Sequence, residues 1–200
     1  MNLHSQTDQQ LIHLYLRGNE KGLEELINRH KARIYTSIFL LVKDSHLAED
    51  LFQDTFIKVI KTLKKGKYNE EGKFLPWVVR IAHNLVIDYF RKEKRTPIIT
   101  NNEGFDIFDV LHFYNENIED RLLREQTYQD LRSLIHRLPD TQKEVLIMRH
   151  YGEMSFRDIA EVTDVSINTA LGRMRYAINN LRKMMNPQEM SLSLTANARV

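Results

Sequence analysis

Turn-forming residues are scarce in this chain: its 200 residues include only 7 Gly and 4 Pro. A many-stranded sheet needs a turn roughly every 8–12 residues, so this scarcity favours long helices with few connections. Apolar residues recur at three- and four-residue steps, the period of a helix with one buried face. Leu11, Leu14 and Tyr15 open one stripe, and Leu23, Leu26, Ile27, His30 and Ile34 form the next. Asp44 or Ser45 can cap a helix whose inner face is Leu47, Leu51, Thr55, Val59 and Leu63. Pro76 stands where a first helical turn tolerates it, ahead of a seam of Val78, Ala82, Leu85 and Tyr89. Further on, Leu131, Leu134, Ile135 and Leu138 lead to a stop at Pro139, and a helix from Thr141 to His150 turns Val145 and Met148 inward. The expected fold is all-α.

Charge divides the chain more sharply than its net value of +2 suggests. Residues 1–96 carry +5, residues 97–122 carry −5, and residues 123–186 carry +2. Two basic blocks separated by an acidic one point to a polyanionic partner. The expected organisation is two small helical domains, 1–96 and 123–186, joined by an acidic linker at 97–122 and followed by a flexible tail at 187–200. The linker also carries Phe105, Ile107, Phe108, Val110, Leu111 and Phe113, which suits docking on a flanking domain or a partner better than a free tether.

Several function classes fall away. With 42% hydrophobic and 28% charged residues and a mean hydropathy of −0.46, the chain has the profile of a soluble globular protein. Its most apolar stretch, Ile34–Val42, is about half the length of a membrane span. The start, Met1-Asn2-Leu3-His4, has no signal pattern, so a cytoplasmic protein without membrane insertion is expected. Cysteine is absent, which excludes disulfides, thiolate catalysis and Cys-based zinc sites. The eight His are scattered without metal-ligand spacing, and no Walker loop, dinucleotide fingerprint or zincin helix occurs. No enzymatic activity, cofactor or metal is expected.

The most informative stretch is Ser155–Met185. Ser155 can cap a short helix Phe156–Val162 with Ile159 and Val162 inward and the small Ala160 at a close crossing. Thr163-Asp164-Val165 is a turn in which Asp164 can take left-handed backbone. Ser166 then caps a longer helix with a seam of Ala170, Met174, Ala177/Ile178, Leu181 and Met185. This is helix-turn-helix spacing. No acidic residue occurs from Val165 to Asn186, while Arg173, Arg175, Arg182 and Lys183 are basic. Asn168, Thr169, Gly172, Arg175 and Tyr176 lie outside the seam. Such a helix can enter the major groove, its Arg forks facing guanine or phosphate. The plainer alternative is a helical hairpin with a basic, solvated face.

These residues also carry a family resemblance. Asp140-Thr141-Gln142-Lys143-Glu144-Val145, Phe156-Arg157-Asp158-Ile159-Ala160-Glu161 and Val165-Ser166-Ile167-Asn168-Thr169 resemble region 4 of the extracytoplasmic-function (ECF) sigma factors, members of the sigma-70 family of bacterial RNA polymerase. Ala48-Glu49-Asp50-Leu51-Phe52-Gln53-Asp54-Thr55-Phe56 is similar to the core-binding part of region 2. Phe74-Leu75-Pro76-Trp77-Val78-Val79-Arg80-Ile81-Ala82-His83-Asn84-Leu85-Val86-Ile87-Asp88 is similar to its promoter-melting and minus-ten-reading part. The resemblance runs, in order, over roughly residues 10–186.

The resemblance implies a role for each motif. Glu49, Asp50, Gln53 and Asp54 share an outward surface that would meet the polymerase core at its clamp coiled coil; a merely solvated acidic face is the alternative. Region 4 would contact the polymerase flap as well as the minus-thirty-five element. Trp77, Arg80, Ile81, Asn84, Asp88, Arg91 and Lys92 would face the minus-ten element, with stacking and backbone cations capturing a strand as it unpairs. Trp77 could equally be core. The cluster Lys58, Lys61, Lys64, Lys65 and Lys67 either touches nucleic acid or keeps a surface solvated. In the recognition helix Asn168, Thr169, Leu171, Gly172, Arg173, Arg175 and Tyr176 would face the minus-thirty-five element. Family members often have a basic residue and a Ser where this chain has Leu171 and Gly172. Leu171 donates no hydrogen bond but can meet a thymine methyl, and Gly172 costs about 1 kcal/mol of helix propensity while allowing close backbone approach. The resemblance admits an anti-sigma factor as a further partner. A stand-alone helix-turn-helix regulator with a helical sensing domain is the rival reading.

Overall fold

The computed structural model describes residues 3–69, 72–95 and 130–185. Among these residues it is all-helical, without a strand. After a single 3-10 turn, Leu3–Ser5, come α1 (Asp8–Leu16), α2 (Glu20–Val42), α3 (Ser45–Lys64) and α4 (Phe74–Arg95). Then come α5 (130–136), α6 (Asp140–His150), α7 (Phe156–Val162) and α8 (Ile167–Met185). The expected linker 97–122 and tail 187–200 lie outside the described residues. Helices α1–α4 belong to one compact unit and α5–α8 to a second.

Local chemistry sets the ends of these helices. Thr7 and Gln10 form a reciprocal capping box on α1, Asn19 caps α2, and Asp44 caps α3 by accepting from the Leu47 N–H at 2.8 Å. The α1–α2 turn closes with Gly18 at φ 93°: its N–H donates to Tyr15 O, and the Asn19 N–H donates to Leu14 O. This pattern satisfies the last carbonyls of a helix and demands left-handed backbone.

In the first unit α2 is the central element, packed against α1, α3 and α4, while α3 and α4 also pack together. Leu26, Ile34, Ile38 and Leu40 of α2 are buried with Leu51, Phe56, Val59 and Leu63 of α3. On α1, Ile12 joins Leu11 and Tyr15 in the core, and Leu14 is half-buried. The α4 seam also differs from the sequence expectation. Phe74, Leu75, Val78, Val79, Ala82 and Val86 are buried, whereas Leu85 and Tyr89 are half-exposed. Two helices cover α4, so its buried stripe is wider than a single seam and rotated toward Val79 and Val86.

A polar cluster fixes α1 on α2. Asp8 accepts from Arg29 Nη1 at 2.7 Å and lies 2.8 Å from His30 Nε2. Burial pushes the Asp8 carboxyl up, but the His30 hydrogen bond and the charges of His30 and Arg29 outweigh it, and the pKa ends below the usual value. A depressed carboxylate contributes stability above its unfolded pKa, near 3.9, and loses that contribution as pH falls through the folded value. Asp8→Asn is therefore expected to flatten the acid limb of the stability curve below about pH 5. Denaturant titrations of both chains between neutral and acid pH check this, and equal slopes would contradict it.

In the second unit, Ile135, Leu138, Val145, Ile147, Met148, Met154, Ile159, Ala170 and Ala177 are buried, and α7 packs on α8. Ser155 and Asp158 form a capping box on α7. Asp164 adopts left-handed backbone at φ 52°, and the Val165 N–H donates to Ala160 O at 3.0 Å. Ser166 Oγ accepts from the Thr169 N–H at 3.0 Å. Asn180 Nδ2 donates to Gln142 Oε1 at 2.8 Å, tying α8 to α6. The helix-turn-helix is thus built as its sequence specified. Of the expected inward residues, Val162, Met174, Ile178 and Leu181 are half-buried, and Met185, at the end of α8, is 63% exposed instead.

Candidate polymerase and nucleic-acid interfaces

Three outward faces carry the candidate residues. On α3, burial of Ala48, Leu51, Thr55, Val59 and Leu63 leaves Glu49, Asp50, Gln53 and Asp54 exposed on the opposite side. Ile57 was missed by sequence reasoning. It lies three and four residues beyond Asp54 and Gln53, which places it on the same face, and it is 46% exposed. The spacing alone would have found it. Beneath this face, Tyr35 on α2 stacks against Phe39 and meets Phe52 edge-on. Burial and the negative charges of Glu49 and Asp44 push its phenol up to about 12. Lys58, Lys61, Lys64, Lys65 and Lys67 are also exposed, giving α3 and the residues after it an acidic half followed by a basic one.

On α4, Arg80, Asn84, Asp88, Arg91 and Lys92 are exposed, while Trp77 and Ile81 are half-exposed. Their spacing of three, four and seven residues keeps all seven on one side of the helix. Trp77 is neither fully core nor free. Its ring lies 4.3 Å from that of Tyr68 and 5.9 Å from that of Phe74, and Phe74 in turn packs near His30. One flank of the indole is thereby held in an aromatic cluster at the start of α4. Asp88 and Arg91 form only a long, exposed ion pair at 3.8 Å, which leaves the arginine available to other anions.

On α8, Asn168, Thr169, Leu171, Arg175 and Tyr176 are exposed, and Gly172 and Arg173 partly so. Asn168, Gly172 and Arg175 follow one another at four- and three-residue steps and make a single face, with Leu171 and Tyr176 on its two edges. Arg173 is set apart. It shares its flank with Asn180, seven residues on, whose amide binds α6. The Thr169 hydroxyl is 2.9 Å from Ser166 Oγ and so belongs to the helix cap as well as to the outer face. Among the described residues no group of His, Cys, Asp and Glu could hold a metal, and no helix is long and apolar enough to cross a membrane.

The described elements are thus all helical, with an exposed acidic face on α3 and a basic outer face on the helix-turn-helix. The pattern of sigma-70 region 2 matches residues 26–96, and that of sigma-70 region 4 matches residues 128–174, together more than half of the chain. The ECF RNA polymerase sigma factor SigW of Bacillus subtilis is 25% identical over 84% of this chain and 91% of its own length. The RNA polymerase sigma-H factor of Pseudomonas aeruginosa is 26% identical over 92% and 97%. Among solved structures, the sigma factor RpoE of Bartonella quintana, in complex with the anti-sigma factor NepR, superposes with a TM-score of 0.62 at 19% identity, covering 83% of this chain and 97% of that one. CnrH in complex with the cytosolic domain of CnrY gives a TM-score of 0.58 at 21% identity, over 89% and 96%. The chain belongs to the sigma-70 family of RNA polymerase sigma factors, in its ECF group. Its N-terminal unit carries region 2 where a stand-alone regulator would need a sensing domain, so that rival reading is not favoured.

Proposed function

We propose that this sigma factor acts through three surfaces with separate tasks. Asp50, Gln53 and Asp54, with Glu49 beside them, dock region 2 on a basic surface of the polymerase core, the clamp coiled coil. The outer face of α4 captures the minus-ten strand, with Trp77 beside the unstacking bases, Asn84 and Ile81 reading, and Arg80, Arg91 and Lys92 holding phosphates. The outer face of α8 reads the minus-thirty-five element. Residues 1–96 hold the first two tasks and 123–186 the third, with the acidic segment 97–122 connecting them. The chain does no covalent chemistry of its own. It works in the cytoplasm, where polymerase and template are, and a protein partner of the kind seen with its two structural neighbours would restrain it by covering these surfaces.

The observation that carries this reading is that Glu49, Asp50, Gln53 and Asp54 of α3, Arg80, Asn84, Asp88, Arg91 and Lys92 of α4, and Asn168 and Arg175 of α8 are exposed together on one face of each helix, away from its buried residues. Run-off transcription with purified core polymerase on a promoter library tests it. Initiation at a defined set of promoters only when this chain is present is the expected result. Unchanged initiation would overturn the reading.

Arg175 is the cation of the α8 reading face. If it is bidentate to a guanine, Arg175→Ala should weaken upstream-element binding by about 1–3 kcal/mol. Footprinting of the holoenzyme checks this, and protection unchanged at every upstream base would contradict the placement.

A further inference from the structure

The first two turns of α8 expose two large aliphatic side chains. Ile167 is 48% exposed and Leu171 44% exposed. They stand four residues apart on adjoining turns, Leu171 at the edge of the Asn168–Gly172–Arg175 face and Ile167 on the flank next to it, seven residues before Met174 of the seam. An exposed aliphatic pair on a surface helix gains nothing from water, and it gains little from phosphates. The surrounding charge nonetheless fits a polyanion, since Val165–Asn186 has no acidic residue and four basic ones. In the major groove the one apolar group that a base pair offers is the C5 methyl of thymine.

Gly172 supports the same occupant. A Cβ built there meets nothing within 4 Å, so no packing contact in the fold requires a glycine at this position. What its bare backbone does supply is close approach on the outer face, next to Leu171. Four helical residues rise about 6 Å, and base pairs rise about 3.4 Å. The two side chains therefore reach methyls within about two base pairs of one another.

Resting on the reading of α8 as the minus-thirty-five helix, we infer that Ile167 and Leu171 form an apolar pair that selects thymines in the upstream element by their methyl groups. The pair would then set specificity at positions where a polar side chain would read a base edge.

The test uses holoenzyme, core polymerase plus the full chain, on a promoter recovered from the library. Each thymine of the upstream element is replaced singly by deoxyuridine, which removes the methyl and keeps the pairing. One or two replacements should weaken binding about fourfold each, the value of one buried methylene-sized group. Leu171→Ala should abolish the thymine–uracil difference at one of them and Ile167→Ala at its neighbour, while core binding stays unchanged. Because both side chains are exposed, the variants should keep the circular dichroism spectrum of the parent chain. A protected upstream element indifferent to every uracil would overturn this inference and leave the proposed function standing. So would a Leu171→Ala chain that loses affinity for a protein partner with no thymine–uracil difference. An upstream element that the holoenzyme does not protect at all would sink both.

Discussion

Asp50→Arg combined with Asp54→Arg is expected to abolish capture of core polymerase while leaving the helical content of the chain intact. Both carboxylates are exposed on the face of α3 opposite its seam, so the substitution removes no core contact. It does turn two negative charges into two positive ones on a face proposed to meet a basic surface. Placing like charges together at an interface costs several kcal/mol, enough for a loss of roughly 100-fold or more in affinity. Asp50→Asn with Asp54→Asn removes attraction without adding repulsion and should fall between the two. Pull-down with core enzyme, accompanied by circular dichroism, checks the series. The parent complex should also weaken as salt is raised, since the attraction is screened over about 10 Å at 0.1 M ionic strength. Normal capture by the doubly reversed chain would mean that another surface grips the polymerase.

The second large effect is on stability and lies far from any interface. A Cβ at Gly22 would come within 2.5 Å of the Leu11 backbone oxygen, 3.1 Å of Tyr15 N and 3.2 Å of Leu14 Cβ. Two of these neighbours are backbone atoms of α1, and they cannot move aside as a flexible side chain can. Gly22→Val must therefore push α1 away from α2, disturbing the packing of Leu11, Ile12 and Tyr15. Overpacking of this kind costs about 3 kcal/mol. The better helix propensity of Val returns only a few tenths of that. Chemical denaturation of the full chain should show the loss, and a midpoint equal to that of the parent would refute the account. The contrast with Gly172 is direct, because a Cβ there meets open space and costs no packing.

Much of this fold was legible from residue spacing. Helix caps at Asp44, Ser155 and Ser166 follow from side chains that bond the nearby backbone, and Asp164 is of a residue type that tolerates left-handed backbone, a local chemistry that the rest of the fold need not assist. The α3 face was legible because one seam opposes one surface. The α4 seam was not, since its rotation toward Val79 and Val86 depends on where α2 and α3 lie against it, and no local pattern gives those positions. The half-buried state of Trp77 was beyond sequence for the same reason. It depends on Tyr68, which the sequence separates from it by nine positions and the fold brings to 4.3 Å. The Asp8–Arg29–His30 cluster was hidden similarly, for Asp8 lies more than 20 residues before the other two.

The amino-acid sequence determined the class of fold, the helix-turn-helix and the three outward-facing sets of residues. Each of these follows from periodicity, capping and charge acting over a few neighbouring residues. The tertiary structure alone decided which glycine is sterically obligatory, that Arg173 stands off the reading face beside a residue bonded to α6, and that Tyr35 packs against Phe39 and Phe52 beneath the acidic face. These depend on the distance between elements. That distance is set by packing, where a contact of a few ångströms joins residues that the chain keeps far apart.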